Sequence, residues 1–174
     1  GRALVLLTSN SAVRATRNGV RAALEQSGIL VLGQGVDGSP RQLLKTLLET
    51  PRCVILGSAS FWEGVDITGE ALSLLIMARL PFPVPTEPVY AARAELFDEP
   101  FTEYALPQAV LRFRQGFGRL IRRKTDRGVF VVLDRRIISR DYGEAFRSSL
   151  PATRVETEPI ANLPQRVHGW LQRR

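Results

Sequence analysis

The chain has 174 residues, of which 44% are hydrophobic and 24% are charged, values typical of one folded domain with a full core. No apolar run approaches the roughly 18 residues that a membrane helix needs, so the sequence excludes a membrane span within it and we expect no membrane partner. The net charge is +7, and only two of the 24 basic residues are lysines. Because the planar guanidinium fork of arginine binds phosphates, this composition favours a polyanionic partner, although a coding bias towards arginine explains it equally well.

The predicted elements alternate between short apolar runs and stretches of helical periodicity. Strands are predicted at residues 3–7, 29–32, 52–56, 72–78 and 129–133. Helices are predicted from the Thr8-Ser9-Asn10 cap to Gly28, after Ser39-Pro40, and in a long stretch before the fifth strand. This alternation predicts an α/β fold with a mostly parallel sheet that helices cover on both faces. In such sheets, ligands gather at the carboxyl ends of the strands, so we expect site residues after strands one, three and five.

Six prolines crowd into residues 81–107, which we interpret as a surface excursion with a short helix at 89–97 rather than as a domain boundary. The tail after Pro151 is polar and becomes mildly helical at 160–171. The sequence begins without methionine, and a strand-like run follows at once. We therefore expect residues 1–174 to form one domain excised from a longer protein.

Few residues offer chemistry of their own. Cys53 is the single cysteine, and we predict a buried strand position for it because one thiol forms neither an internal disulfide nor an iron–sulfur cage. His168 is the single histidine, for which we expect a surface or packing role. No cluster of histidine, cysteine or carboxylates has metal-ligand spacing, so the sequence predicts no metal site.

Residues 108–123 form the most informative segment, and we predict a helix with two faces for it. The apolar face consists of Val110, Phe113, Phe117 and Leu120, and the opposite face of Arg112, Gln115, Arg119 and Arg122. Gly116 and Gly118 each destabilise such a helix by roughly 1 kcal/mol relative to alanine. A helix with two such glycines indicates that another group approaches its backbone closely.

The pattern Gln115-x-x-Gly118-Arg119-x-x-Arg122 resembles motif VI of superfamily-2 helicases. The resemblance implies that Arg122 is an arginine finger, which stabilises charge on the transferring phosphoryl group, and that Arg119 lies beside it. It also implies that Gln115 and Gly118 belong to the nucleotide site. The alternative is an ordinary arginine-rich amphipathic helix.

Residues 57–69, with sequence Gly-Ser-Ala-Ser-Phe-Trp-Glu-Gly-Val-Asp-Ile-Thr-Gly, resemble motif V of the DinG/XPD helicase family. In that family this loop touches both the nucleotide and the DNA. The resemblance places Glu63, Gly64 and Asp66 on the nucleotide side, where Asp66 would bond a ribose hydroxyl or an arginine of motif VI. It assigns Ser58 and Ser60 to DNA phosphates. Phe61 and Trp62 either stack on bases or pack beneath the loop.

Further segments resemble the same family in the same order. Residues 7–10 are similar to motif IV, so Thr8 and Ser9 are candidate DNA-backbone contacts at a helix N-terminus, with a helix cap that binds no ligand as the alternative. Gln34-Gly35, residues 80–89 and residues 131–136 are similar to other family segments. Together the matches run from about residue 3 to about residue 145, and the bacterial DinG branch resembles the chain more than XPD does.

The resemblance implies a RecA-like, P-loop NTPase-like three-layer fold that acts as the second motor domain of an ATP-dependent DNA helicase. No Gly-x-x-x-x-Gly-Lys-Ser/Thr sequence is present, so ATP and Mg²⁺ would be bound mainly by the first RecA-like domain of the same polypeptide, and this chain alone would hydrolyse no ATP.

By the same resemblance, the other partner is single-stranded DNA, translocation runs 5′ to 3′, and the protein is a monomer of the bacterial cytoplasm. An iron–sulfur cluster or an exonuclease domain would belong to the parent protein and not to this chain. The rival hypothesis is a free-standing nucleic-acid-binding module whose arginines only contact phosphates. A small-molecule nucleotide enzyme ranks last, because the phosphate loop is missing.

Overall fold

A five-stranded parallel sheet forms the centre of the fold. The computed structural model describes residues 2–58, 61, 72–123 and 125–172. The strands are β1 Arg2–Leu6, β2 Leu30–Gly33, β3 Cys53–Gly57, β4 Leu74–Met77 and β5 Val129–Val132. They lie in the order β2-β3-β1-β4-β5, and every pairing between neighbours is parallel. All five predicted strands are confirmed, and so is the parallel sheet.

The helices follow the predicted alternation. They are α1 Asn10–Gln26, α2 Pro40–Glu49, α3 Pro88–Ala94, α4 Leu106–Leu120, α5 Arg136–Ser139, α6 Gly143–Ser148 and α7 Leu163–Leu171. A π-helical turn at Phe101–Ala105 leads directly into α4. Among the helices that the structure describes, none has the length and apolar character to cross a membrane.

Successive residues of each central strand point to opposite faces of the sheet, and each face carries its own helices. On one face, Val13 of α1 packs against Val31 and Leu56. On the other face, Leu43 and Leu47 of α2 join a larger cluster with residues of the sheet, among them Leu4, Leu6, Cys53, Ile55 and Leu75. The chain therefore forms the predicted three-layer α/β sandwich, and Cys53 has the predicted buried position.

The helices that follow β1 and β2 begin at side-chain caps. Ser9 is the N-cap of α1, and its hydroxyl accepts a hydrogen bond from the Ala12 amide at 3.1 Å. Ser39 caps α2 in a capping box with Gln42, and Pro40 occupies the first helical turn. These caps fix the start of both helices at the edge of the sheet where β1 and β2 end.

Helix α4 packs its apolar face onto β4 and β5. The Phe113 ring is buried, with its centroid 5.2 Å from that of Phe130 and 5.3 Å from that of Phe146. The buried positions of the helix are Ala109, Phe113, Gly116, Phe117 and Leu120. The predicted apolar stripe is confirmed, with Val110 half-buried at its border.

The proline-rich excursion between β4 and α4 is held together by stacked rings. Tyr104 stacks on Tyr90 and Phe97 with centroid distances of 5.5 and 5.4 Å, and Phe82 stacks on Phe101 at 5.7 Å. The short helix predicted at 89–97 is confirmed as α3 at Pro88–Ala94.

Candidate nucleotide and DNA site

The candidate residues lie at two opposite edges of the sheet. Thr8 and Ser9 follow the end of β1, and Ser58 follows the end of β3, so these three residues lie at the carboxyl edge. The segment that carries Arg119 and Arg122 precedes β5, whose first amide, at Val129, bonds the Ser73 carbonyl just before β4. This segment therefore lies at the amino edge. A five-residue strand is roughly 16 Å long, which separates the two groups by that distance.

Unlike Thr8, Ser9 and Ser58, the arginines precede a strand, and the expectation of site residues after strand ends does not extend to them. Helix α4 runs antiparallel to the strands, because it connects the carboxyl end of β4 with the amino end of β5. Its last turn lies against the segment before β5, where the Leu120 side chain leaves no room for a Cβ at Gly128. A helix that precedes a parallel strand brings its own C-terminus to the amino edge of the sheet.

The end of α4 also differs from the prediction. The helix was predicted to continue to residue 123, but it ends at Leu120, and Ile121 adopts an extended conformation with φ −120° and ψ 110°. Arg122 is exposed in the following turn and does not share a helical face with Arg112 and Arg119. The physical reason is a competing acceptor for the next backbone amides.

That acceptor is Asp126. Its Oδ2 atom accepts hydrogen bonds from the backbone amides of Arg122 and Arg123, each at 2.8 Å. The amides of Arg123 and then Arg122 are the main cause of the lowered pKa of the Asp126 carboxyl. The carboxylate therefore fixes the backbone from which the Arg122 side chain extends.

The remaining residues of the motif VI pattern lie on the last turns of α4. Gln115 is exposed, and Arg119 and Gly118 are partly exposed. A Cβ added to Gly118 would meet nothing within 4 Å. The close approach that the glycines indicate is therefore not made at Gly118 by the described part of the chain, and this stretch of helix backbone is open to another group.

At the carboxyl edge, the motif IV candidates begin α1. Thr8 and Ser9 are exposed. The Ser9 hydroxyl caps the helix and also lies 2.9 Å from the Ser11 hydroxyl. The first turn of α1 contains no acidic residue, so nothing on it opposes the positive end of the helix dipole. The predicted cap is confirmed.

Ser58 has a different environment from the other two candidates. It is buried, with 6% of its surface exposed. The Oε1 atom of Gln34 accepts a hydrogen bond from the Ser58 amide at 2.8 Å and another from its hydroxyl at 3.3 Å. The Gln34-Gly35 element thus holds the residue at which the motif V segment leaves the sheet.

Phe61 is packed in the core and offers no ring to a base. It is 2% exposed, belongs to the cluster around Leu4 and Ile55, and leaves no room for a Cβ at Gly57, which would lie 2.9 Å from the Phe61 Cβ and Cγ atoms. For Phe61 the stacking interpretation is wrong and the packing interpretation is confirmed. The other motif V candidates, namely Ser60, Trp62, Glu63, Gly64 and Asp66, lie outside the described residues.

Two carboxylates at the carboxyl edge are held by arginines. Asp134, directly after β5, accepts hydrogen bonds from the Arg136 guanidinium at 2.6 to 3.1 Å and from the Leu80 amide at 2.8 Å. Burial alone would raise the pKa of Asp134, but these hydrogen bonds outweigh it and lower the pKa to about 2.

Asp37, after β2, pairs with Arg17 of α1 and accepts a hydrogen bond from the Gly33 amide at 2.7 Å. Its pKa is likewise lowered, because these hydrogen bonds outweigh burial. Within the described ranges, no group of three or more histidine, cysteine, aspartate or glutamate side chains is arranged to hold a metal ion.

Comparison with known proteins agrees with this architecture. The family model of the helicase C-terminal domain matches residues 1–153. The chain belongs to the helicase C-terminal domain family. This confirms the resemblance to DinG-type helicases that motifs IV, V and VI carry, and it confirms the RecA-like fold class.

This helicase C-terminal domain is similar in sequence to part of several longer bacterial proteins. The chain is 40% identical over 171 residues to a protein named 3′-5′ exonuclease DinG from Bacillus subtilis, a match that covers 95% of the chain and 18% of that protein. It is 43% identical over 155 residues to the ATP-dependent DNA helicase YoaA of Haemophilus influenzae, covering 87% and 24%. It is 41% identical over 155 residues to the ATP-dependent helicase DinG of Mycobacterium tuberculosis, covering 87% and 23%. The chain thus spans about a fifth of the length of these relatives.

Sequence reasoning missed two residues of this helicase C-terminal domain. Asp126 orders the turn after α4, and an aspartate that follows a helix end by a few residues is a recognisable signal, because its carboxylate readily accepts from turn amides. Gln34 was noted only as part of a dipeptide. Its long-range bond to Ser58 had no signal in one sequence, because the two residues are 24 positions apart.

Proposed function

We propose that this chain is the second motor domain of an ATP-dependent DNA helicase and that it supplies an arginine finger to ATP bound at the first motor domain. The observation that carries the proposal is the turn after α4, where Arg122 is exposed while Asp126 fixes its backbone. The family of the chain and the helicase names of several relatives support it. Arg119, one turn away on α4, is the second arginine of the site.

The chemistry assigned to Arg122 is stabilisation of the charge that spreads over the transferring phosphoryl oxygens. The planar donor fork of arginine suits that task, and a lysine performs it poorly. Gln115 and Gly118 would complete the nucleotide side on α4, together with Glu63, Gly64 and Asp66 of motif V. The open backbone at Gly118 supports a close approach by the nucleotide or by the first motor domain.

Mg²⁺ would be held outside the described part of this chain. The described carboxylates near the arginines are occupied in another way, since Asp126 accepts from two backbone amides and forms no cluster with other acidic groups. We assign the phosphate loop, the metal and the attacking water to the first RecA-like domain. A metal bound there would neutralise charge on the phosphates, and this chain would position the arginines.

The DNA side of the proposal lies at the carboxyl edge. Thr8 and Ser9 are exposed beside the amino end of α1, which favours contact with a phosphate. Ser58 would exchange its hydrogen bond with Gln34 for one with the DNA backbone. Ser60 and Trp62 are assigned to the DNA by resemblance to motif V. Single-stranded DNA would move across this edge in the 5′-to-3′ direction as the two motor domains close and open.

The test is the variant Arg122→Ala in the helicase that carries this chain. We expect the turnover of ATP to fall by a factor of about 10³ or more while the affinity for single-stranded DNA stays within twofold of the parent value. Arg122→Lys should restore little of the activity, because a point charge lacks the fork. Arg52→Ala is the matched control, since Arg52 is exposed at the same amino edge, just before β3.

The rival function is a nucleic-acid-binding module, and the arginine-rich surface is the observation that favours it. An equal loss of ATP turnover and DNA affinity in Arg122→Ala would support this rival and overturn the finger. A second test measures DNA binding and ATP hydrolysis by the isolated chain. A half-motor binds DNA weakly and hydrolyses no ATP, whereas a module retains salt-sensitive DNA affinity by itself.

A further inference from the structure

The carboxyl edge has an uneven distribution of charge. The carboxylates of Asp37 and Asp134, which follow β2 and β5, are each paired with an arginine, namely Arg17 and Arg136. Their lowered pKa values mean that both stay ionised and paired at neutral pH. These two ion pairs contribute no net charge to the edge.

Two further arginines follow the strands on this edge. Arg79 comes two residues after the end of β4, and Arg135 comes three residues after the end of β5. Both are exposed. Neither takes part in an ion pair or a side-chain hydrogen bond among the described residues. The neighbouring Asp134 is occupied by Arg136 and by the Leu80 amide, so it does not compensate the charge of either arginine.

The two arginines continue a line that already contains the motif IV and V candidates. The Ala78 amide bonds the Leu6 carbonyl, which places the end of β4 beside the end of β1 and its Thr8. The Leu133 amide bonds the Met77 carbonyl, which places the end of β5 beside that of β4. Neighbouring strands are about 4.8 Å apart, so the residues after β3, β1, β4 and β5 form one row across the sheet.

We propose that Arg79 and Arg135 bind phosphates of single-stranded DNA and extend the DNA path from motifs IV and V across the ends of β4 and β5. This inference rests on the proposed function, because it requires DNA at the carboxyl edge. Exposed arginines without acidic partners bind a phosphodiester oxygen with charge-assisted hydrogen bonds at little desolvation cost. The binding is to the backbone and is independent of base sequence.

The experiment compares salt dependence in the helicase that carries this chain. The affinity for a fluorescent oligothymidylate is measured over a series of salt concentrations for the parent and for the double variant Arg79→Gln, Arg135→Gln. On a single strand each lost phosphate contact lowers the slope of log affinity against log salt by about 0.7, so we expect a decrease of about 1.4. Each single variant should give half of that decrease, and Arg79→Lys, Arg135→Lys should keep most of the slope. The control Arg52→Gln removes the same charge at the opposite edge and should leave the slope unchanged.

The outcomes separate the two proposals. A double variant with the parent slope, while Thr8→Ala, Ser9→Ala weakens binding, overturns the role of Arg79 and Arg135 and leaves the proposed function standing. If Thr8→Ala, Ser9→Ala and the arginine variants all bind as the parent does, DNA does not cross this edge and both proposals fail. An equal decrease of the slope in Arg52→Gln shows a general charge effect and also overturns the inference.

Discussion

The Gln34 side chain holds Ser58 through a single oxygen, which accepts from the Ser58 amide at 2.8 Å and from its hydroxyl at 3.3 Å. Gln34 follows β2 and Ser58 follows β3, so the contact ties two neighbouring strand ends together. Because Ser58 is buried, loss of the Gln34 oxygen would deprive its amide of a hydrogen bond where access to water is small. Gln34 therefore determines where the motif V segment leaves the sheet.

Replacing Gln34 by alanine should destabilise the chain. A buried amide without its acceptor costs about 1 to 3 kcal/mol, so the free energy of unfolding in urea should fall by that amount. Gln34→Glu keeps an acceptor oxygen and should lose less. Gln165→Ala, at an exposed glutamine of α7, is the control. A loss in Gln34→Ala no greater than that of the control would contradict the role assigned to the Gln34 oxygen.

The free energy of unfolding should depend on pH through the Asp134 carboxyl. Its pKa is lowered to about 2 in the folded chain, so its contribution is fully present above the unfolded value near 4 and is lost as the pH falls from about 4 to about 2. The shift corresponds to about 2 kcal/mol.

The variant Asp134→Asn should therefore be less stable than the parent at pH 7 and should approach the parent as the pH falls to 2. Denaturation midpoints measured across this range give the difference. Asp98→Asn, at an exposed aspartate, should track the parent throughout. Parallel curves for Asp134→Asn and the parent would show that the ion pair with Arg136 does not couple stability to protonation.

Gly118→Ala should separate stability from function. An added Cβ meets no described residue within 4 Å, so the helix should gain up to about 1 kcal/mol of stability from the better propensity of alanine. If the proposed function holds, the same methyl group should lower ATP turnover of the full-length protein, because it occupies the surface proposed to meet the nucleotide or the first motor domain. Gly19→Ala in the middle of α1 also meets open space and should give the gain in stability alone. Unchanged turnover in Gly118→Ala would remove the reason for a glycine at this position.

Asp126 should act through Arg122. Asp126→Ala removes the acceptor of the Arg122 and Arg123 amides, so the turn loses its fixed backbone. We expect kcat of ATP hydrolysis to fall by about 10- to 100-fold with a smaller change in KM. A misplaced Arg122 would lose more of its stabilisation of the transition state than of its contribution to substrate binding. Asp126→Asn retains one acceptor oxygen and should recover part of the activity.

The control for this series is Asp141→Ala, which removes an exposed carboxylate elsewhere. Thermal melting of each variant shows whether the fold is intact. A fall in kcat that accompanies an equal loss in Asp141→Ala would indicate charge rather than position. Full activity in Asp126→Ala would show that the turn needs no carboxylate.

The fold was predictable because its signals are local. The strands are unbroken apolar runs such as residues 53–56, and Ser39-Pro40 marks the start of α2 with a cap and a proline. The end of α4 was not predictable from periodicity, because Leu120 and the residues after it continue the helical pattern. The two bonds to Asp126 override that pattern, and the signal for them is the aspartate itself rather than the periodicity of the helix.

For the candidate site, the sequence predicted the segments but not their arrangement in the fold. The resemblance predicted a role for the motif VI residues, but neither it nor their spacing indicated which edge of the sheet they occupy. The direction of α4 decides the edge, and it follows from the connection of two parallel strands rather than from any residue. Phe61 illustrates the same limit, since only the close contact with Gly57 distinguishes a packed ring from a stacking one.

The separation of the two edges has a mechanical consequence. Arg122 lies at one end of the strands and Thr8 at the other, and both are joined to the same sheet. Five parallel strands packed between two helical layers resist shear, so a displacement of the sheet would move both of its edges together. In a motor of two domains, the length of a strand would thus set a fixed distance between the nucleotide site and the DNA path.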